Sequence, residues 1–551
     1  MRCVLDLKKH EHREYESGSI LSRMSVLQPP ERIQRELADK ITSHASLDDI
    51  RILLASGAQP SGPVVQGLRP LHYAVYSNYT ECIRMLVARG SNVDALDDVG
   101  YSALHLSAEA GNCEVVAYLI ENHATVSWSK LADSDFPAGY RSDEPLRLAI
   151  RNGHYACAEL LLQSGADPNA SYFRGSELSL VSPGRPEFVR LLLMYGADAN
   201  VYDREGLTPL MRACRHRDGF ESAKTLIEEG GAAVNAWAIG RQDCRTPLHY
   251  AVLAANVKLI ELLLKNGAEV NMVEGYCRPA PLDVAVLRDH PGVLAKLLEA
   301  GADPNAAYTH IGSPLHLACC SSDLAHQRDI IHMLLLAGAD PNLTPIIEHA
   351  SDNNPPSLTA GVELKSPFLE YFRANAPPKE TLSLEIVRLL IAYGARAVMK
   401  SPIDDPRGLL RAAARLREVP SLERRVWLLL LDAGEAYAAP GVIERVSFNS
   451  VRRRVQCAAR ASVPLSLAHT ARCLIRRTLK PFTPARVKKL DLTEVMKDYL
   501  VFGYRGDDEN LTFDSFVDRN VETGGQQDRD TIELFAPDRN GIDREGLVDA
   551  G

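Results

Sequence analysis

From about Ile33 to about Phe448, apolar residues fall into alternating short blocks at helical spacing. A first block opens with a Thr/Ser-Pro-Leu-His phrase. After a turn, a Leu-rich second block closes with Gly-Ala-Asp-x-Asn. The opening phrase stands at Arg69-Pro70-Leu71-His72, Ser102-Ala103-Leu104-His105, Thr208-Pro209-Leu210, Thr246-Pro247-Leu248-His249 and Ser313-Pro314-Leu315-His316. The closing phrase is clearest at 165–169, 196–200, 267–271 (with Glu269 in the acidic place), 301–305 and 338–342. Pro247 to Pro281 is 34 positions and Pro281 to Pro314 is 33, so the two phrases stay in phase. The pattern predicts two helices per period. Thr or Ser caps the first helix, and Pro follows where no N–H donor is needed. Gly after the second helix supplies a left-handed turn. Each helix pair has an open apolar face, so stacked neighbours build a continuous core. The predicted fold is all-α, with about ten repeats. The first is degenerate, around 33–57, and worn ones lie around 366–395 and 409–434. Stretches 129–143 and 343–364 interrupt the period.

Outside this rhythm lies a further amphipathic segment, 466–479. Leu467, Ala471, Leu474, Ile475 and Leu479 recur at steps of three and four, on one helical face. His469, Arg472, Arg476 and Arg477 fall largely elsewhere around it. Ser466 can cap the start, and Pro481 follows the end. A helix after a finished array must bury its apolar face, either on a partner protein or on the last repeat.

Composition adds little to this picture, and charge adds more. At 46% hydrophobic and 24% charged the chain is ordinary for a soluble protein, and no apolar run is long enough to span a membrane. No secretory signal opens the chain, and its 11 cysteines include no CxxC pair, which predicts reduced thiols and a location in the cytoplasm, with the nucleus also open. Residues 506–551 hold thirteen acids and four arginines, equal to the whole net charge of -9. Residues 451–489 hold eleven bases and no acid, a solvated basic face in the simplest reading. His72, His105, His249 and His316 read as structural hydrogen-bonding residues. No phosphate loop, zinc spacing or nucleophile motif appears, so no catalytic residue, cofactor or metal is expected. Aromatic residues recur just after the closing Asn, at Trp128, Tyr172, Tyr202, Trp237 and Tyr308. Such groups on exposed tips dominate binding energy at interfaces, which makes them candidate contacts for a target protein.

The period and its two phrases resemble ankyrin repeats. An array followed by Pro464-Leu465-Ser466-Leu467-Ala468-His469 and a basic amphipathic helix resembles the ankyrin repeat and SOCS box proteins. The resemblance implies an ankyrin-repeat solenoid over 33–448 and a small helical SOCS box over 449–505. Residues 1–32 and the acidic tail 506–551 stand outside it and are expected to be disordered. It further implies that Leu467, Ala471 and Ile475 contact elongin C, which pairs with elongin B. Ala471 stands where the family typically has Cys. Leu490, Leu492, Val495, Tyr499 and Leu500 align with residues that select cullin-5 and its RING-box protein, although both prolines of the family's Leu-Pro-aliphatic-Pro phrase are missing from Leu490-Asp491-Leu492-Thr493. The implied role is a substrate receptor of a ubiquitin ligase that supplies no catalytic group of its own, acting on an unknown protein and not on nucleic acid or membrane. The alternative is a plain ankyrin scaffold whose C-terminal helices only cap the array. Asn169 and Asn305, each with a Leu eight positions earlier, are similar to hydroxylated asparagines of ankyrin proteins, though stabilising the hairpin is a sufficient role for them.

Overall fold

The computed structural model describes residues 29–127, 143–239, 244–272, 279–307, 312–344, 365–375, 382–399 and 467–501, with Leu409, Val426, 429–430 and 433–437 between the last two. Trp128, Tyr308, most of the two interruptions, the worn repeat around 409–434 apart from these few residues, and the acidic tail lie outside the described residues. The chain divides into two compact units, Met1–Cys244 and Arg245–Gly551.

In the first unit the helices run α1 (Pro29–Thr42), α2 (Leu47–Ala55), α3 (Pro70–Tyr76), α4 (Thr80–Ala88), α5 (Ala103–Ala110), α6 (Cys113–Glu121), α7 (Pro145–Asn152) and α8 (Tyr155–Gln163). A small hairpin follows, β1 (Ser171–Tyr172) antiparallel to β2 (Gly175–Ser176). The unit ends with α9 (Glu177–Leu180), α10 (Pro186–Met194), α11 (Pro209–Arg215) and α12 (Phe220–Glu228). The second unit continues with α13 (Pro247–Leu253), α14 (Val257–Lys265), α15 (Pro281–Leu287), α16 (Pro291–Glu299), α17 (Pro314–Cys320), α18 (Gln327–Leu336), α19 (Pro367–Asn375) and α20 (Leu384–Ala392). Strand β3 (Ala397–Met399) pairs in parallel with β4 (Gly434–Tyr437). Three helices close the described chain: α21 (Leu467–Thr478), α22 (Pro484–Lys488) and α23 (Glu494–Leu500). Helix pairs recur through the array among the described residues, and α1 begins at Pro29, before the start read from the sequence.

The histidines of the opening phrase act as brackets. Nδ1 of His72, His105, His249 and His316 accepts the backbone N–H of its own helix cap, at 3.0–3.1 Å. That contact leaves the ring proton on Nε2. Nε2 donates to the carbonyl just before the next cap in three of them, at Tyr101 (3.1 Å), Pro279 (3.2 Å) and Lys365 (2.8 Å). In those three the neutral ring ties one repeat to the next, and burial lowers the pKa of all four.

Two repeats put other residues in the same slot. Arg147 reaches Glu177 of the following phrase at 3.3 Å, with Glu177 fully buried. Asp283 accepts from the Ala280 N–H at 2.9 Å through Oδ2, while its buried Oδ1 has no hydrogen-bond partner among the described residues.

A second set of bonds locks the tips. The closing asparagines Asn169, Asn271, Asn305 and Asn342 donate through Nδ2 to the glycine carbonyl that ends the next second helix, Gly196, Gly301, Gly338 and Gly394, at 2.9–3.0 Å. Their Oδ1 atoms accept the backbone N–H two residues beyond that glycine, at 2.7–2.8 Å. Asn342 bridges 52 positions to Gly394, against 27 for Asn169 to Gly196. The pair α19–α20 is thus the next repeat in phase, reached across the interruption.

Gly206 shows how closely two tips approach. It sits at φ +80°, donates to the Asp203 carbonyl and accepts from the Ile239 N–H at 3.0 Å. A Cβ there would collide with the Ile239 carbonyl. Gly206→Ala is expected to cost roughly 2–3 kcal/mol, from the left-handed backbone and the collision together, and to lower the melting temperature of the chain. An unchanged melt would remove this contact from the account of the fold.

Candidate functional site

The last three described helices form a small unit of their own. Phe482, Val487, Leu500 and Val501 make its core, and Ile475, Leu479, Leu490 and Leu492 pack against that core. Thr483 caps α22 by accepting the Arg486 N–H, and Thr493 caps α23 by accepting that of Met496. Helix α21 carries two arginines that are not solvated. Arg472 is buried, with its guanidinium 4.3 Å from the centre of the Tyr499 ring, which holds α23 against α21.

Arg476 does more. Its Nη1 donates to the Leu500 carbonyl at 2.8 Å, and its Nη2 donates to the carbonyls of Ile391 and Ala395. Phe482 stacks on the same guanidinium at 4.6 Å and also packs over Gly394. One planar cation therefore caps the C-termini of α23 and α20 together, where helix dipoles leave partial negative charge. The expectation of a basic face needs correction here, since two of its arginines are structural and buried.

What α21 leaves uncovered differs in part from the sequence reading. Ala471 is exposed, and Leu474 is 61% exposed. Residues 467, 471 and 474 follow one face at steps of four and three. Ile475 lies one step around the helix and is half-buried against the core. Leu474 was legible as an apolar position, but nothing in the spacing separated it from the inward residues. On α23, Val495 is 79% exposed, and Met496 and Tyr499 are exposed beside it. Leu490, Leu492 and Leu500, aligned with the cullin contacts, are instead taken up by the core of this unit. Locally, Leu490 and Leu492 fold inward through a tight turn in which the Leu492 N–H donates to the Leu490 carbonyl at 2.9 Å.

The aromatic tip residues also divide. Tyr202 is exposed and Trp237 is half-buried. Tyr172 is turned in beside Glu177, and burial, with that carboxyl next to it, pushes its hydroxyl far above the usual phenol range. The most exposed aromatic in this region is its neighbour Phe173, 77% exposed, with the Arg204 guanidinium 3.8 Å from its ring centre. Sequence spacing missed Phe173 because the hairpin turn directs it outward while Tyr172 points in. Among the described residues no helix is long and apolar enough to cross a membrane, and no group of three His, Cys, Asp or Glu could hold a metal ion.

Comparison with known families matches this architecture piece by piece. The family model "Ankyrin repeats (3 copies)" matches 41–128, 96–172 and 179–274, and "Ankyrin repeat" matches 313–345. The "SOCS box" model matches 463–500, the segment that contains α21, α22 and α23. The chain belongs to the ankyrin repeat and SOCS box family. It is 29% identical over 375 residues to ankyrin repeat and SOCS box protein 16 of Mus musculus, covering 66% of this chain and 74% of that one. The Homo sapiens protein of the same name gives 29% over 377 residues with the same coverage. The E3 ubiquitin-protein ligase KEG of Arabidopsis thaliana is 28% identical over 353 residues, which is 56% of this chain but only 21% of that protein. The three C-terminal helices are thus the SOCS box, and Arg476 is its bond to the last described ankyrin repeat.

Proposed function

We propose that this chain is the substrate-recognition subunit of an elongin B/C–cullin-RING ubiquitin ligase, with the ankyrin repeats holding the target and the SOCS box docking the ligase. The observation that carries this reading is the exposure of Ala471 and Leu474 on one face of α21, at helical spacing after position 467, although the box already has a core and a junction to the array. A helix that only capped the last repeat would have spent that face on the repeat. Elongin C is the occupant, with Leu467, Ala471 and Leu474 as contacts and Ile475 at the edge. Val495, Met496 and Tyr499 form the surface offered to a cullin. Phe173, Arg204 and Tyr202 belong to the surface offered to the target. The chain acts by raising the local concentration of target beside a ubiquitin-charged partner, not by chemistry of its own.

Co-expression with elongins B and C tests the docking step. The wild-type chain should co-purify with both, and Leu467→Asp or Leu474→Asp should abolish the complex by burying an unpaired carboxylate in an apolar contact. Retention of elongins by both variants, with the array still folded, would make the box assignment wrong.

A further inference from the structure

The third and fourth helix pairs meet at two cysteines that the proposed role does not use. Cys113 is the first residue of α6 and Cys157 lies in the first turn of α8, 44 positions later, with the two sulfur atoms 2.7 Å apart. That is well inside non-bonded contact, which is roughly 3.5–4 Å even between carbon atoms. Cys157 is fully buried, while Cys113 is half-buried and so reachable from solvent. The two helix starts are held in place by their surroundings. Gly111, just before α6, has the His154 ring in the space a side chain would fill, and His154 Nε2 lies 3.1 Å from the Glu109 carbonyl. No other pair of sulfurs among the described residues has such a contact across repeats.

We propose that Cys113 and Cys157 are a redox-active dithiol that closes to a disulfide between the third and fourth repeats. Glutathione disulfide serves as the oxidant. The Cys113 thiolate attacks one of its sulfurs, breaking the S–S bond and releasing one glutathione thiolate, which leaves a mixed disulfide on Cys113. Cys157 then gives its proton to a departing thiolate and attacks the Cys113 sulfur, expelling the second glutathione. Two protein thiols are oxidised and one glutathione disulfide is reduced to two thiols. Burial pushes the Cys157 thiol up to about 12, so it waits as the resolving partner and the accessible Cys113 is the entry point. Closure ties two neighbouring repeats of the target-holding array covalently, so it makes that region more rigid.

The full-length chain, equilibrated in glutathione buffers of graded ratio, acid-quenched and alkylated, provides the test. As the buffer becomes oxidising the alkylated chain should carry two fewer alkyl groups, and peptide mapping should recover Cys113 linked to Cys157. Dithiothreitol should reverse both, and the oxidised chain should melt several degrees higher than the reduced one. Cys113→Ser should fold as the wild type does and lose the link. Phenylarsine oxide, which bridges paired thiols, should bind the reduced wild type once at this pair and not the Cys113→Ser chain. Two freely alkylated thiols across all buffers, or a lasting glutathione adduct on Cys113 without closure, would overturn the proposal.

Discussion

Arg476→Ala is expected to free the SOCS box from the end of the ankyrin array while leaving each part folded locally. The guanidinium donates to three backbone carbonyls, one in each of two helices and one just beyond the end of α20, and it is buried. Removing it strands those acceptors away from water. A hydrogen bond from a charged donor contributes about 1.5–3 kcal/mol, so the junction should lose roughly 3 kcal/mol or more. Arg476→Lys should recover little, because a single ammonium cannot span carbonyls at the ends of α20 and α23 at once. Hydrogen exchange reads this directly: amides at the end of α20 and along α21–α23 should exchange faster in both variants, and amides in α13–α16 should not change. Equal protection in wild type and variant would mean that packing of Phe482 over Gly394, and not the cation, holds the box.

A second large effect concerns pH. Burial brings His105 down to about 3 and His249 down to about 4, and it raises Asp283 and Glu177 to about 7. A histidine with a lowered folded pKa contributes stability that is complete above pH ~6.5 and is lost as pH falls toward the folded value. A carboxyl with a raised folded pKa does the reverse, contributing fully below pH ~4 and losing that contribution as pH rises through about 7. Each group changes stability by about 1.4 kcal/mol per pH unit within its window. Between about pH 4.5 and 6.5 His105 and His249 offset the two carboxyls. His72 and His316, also lowered by burial, are uncompensated, so the unfolding free energy should rise with pH toward about 6.5. It should fall on the alkaline side of that window as the carboxyls ionise, and again below about pH 4. Asp283→Asn keeps the acceptor for the Ala280 N–H, removes the ionisation and supplies a donor at the unpaired Oδ1 position. It is expected to stabilise the chain at pH 8 on the order of 3 kcal/mol and to have little effect at pH 4. Urea midpoints across pH 4–8 test both, and a variant that is no more stable at pH 8 would show that Asp283 finds its partner by other means.

Much of this molecule was readable from its residues, for a physical reason. The ankyrin signatures are positions where backbone geometry leaves no choice: a cap, a proline at a helix start, a glycine in the left-handed turn after a second helix. The histidines announced a structural role, and the two-sided bonds of His72, His249 and His316 bear it out. Other residues fill the same slot by a different logic, and there the pattern fell silent. Glu144-Pro145-Leu146-Arg147 and Ser176-Glu177-Leu178-Ser179 open repeats without matching the phrase, because an Arg147–Glu177 ion pair replaces the histidine bond between them.

In the box, spacing located the helix but could not sort its faces. Arg472 and Arg476 sit at positions that look solvated in a sequence. Arg472 is buried against the Tyr499 ring and Arg476 against acceptors at Leu500, Ile391 and Ala395, none of which a local pattern reveals. Leu474 and Ile475 are adjacent and equally apolar, and only the packed core of Phe482, Val487 and Leu500 decides which one faces out. At the tips, a hairpin exchanged the roles of Tyr172, in the strand, and Phe173, in the two-residue turn, a distinction that depends on the turn and not on residue type.

The asparagine bonds carry a consequence for how such a chain can change. Asn342 closes on Gly394 and Arg396 in the same manner as Asn169 closes on Gly196 and Asp198, although the intervening chain is nearly twice as long. The joint reads the two ends and is indifferent to the mileage between them. Such a joint is a natural port for insertion: segments can be lengthened, shortened or exchanged there, by evolution or by an engineer, while the repeats on either side stay in step.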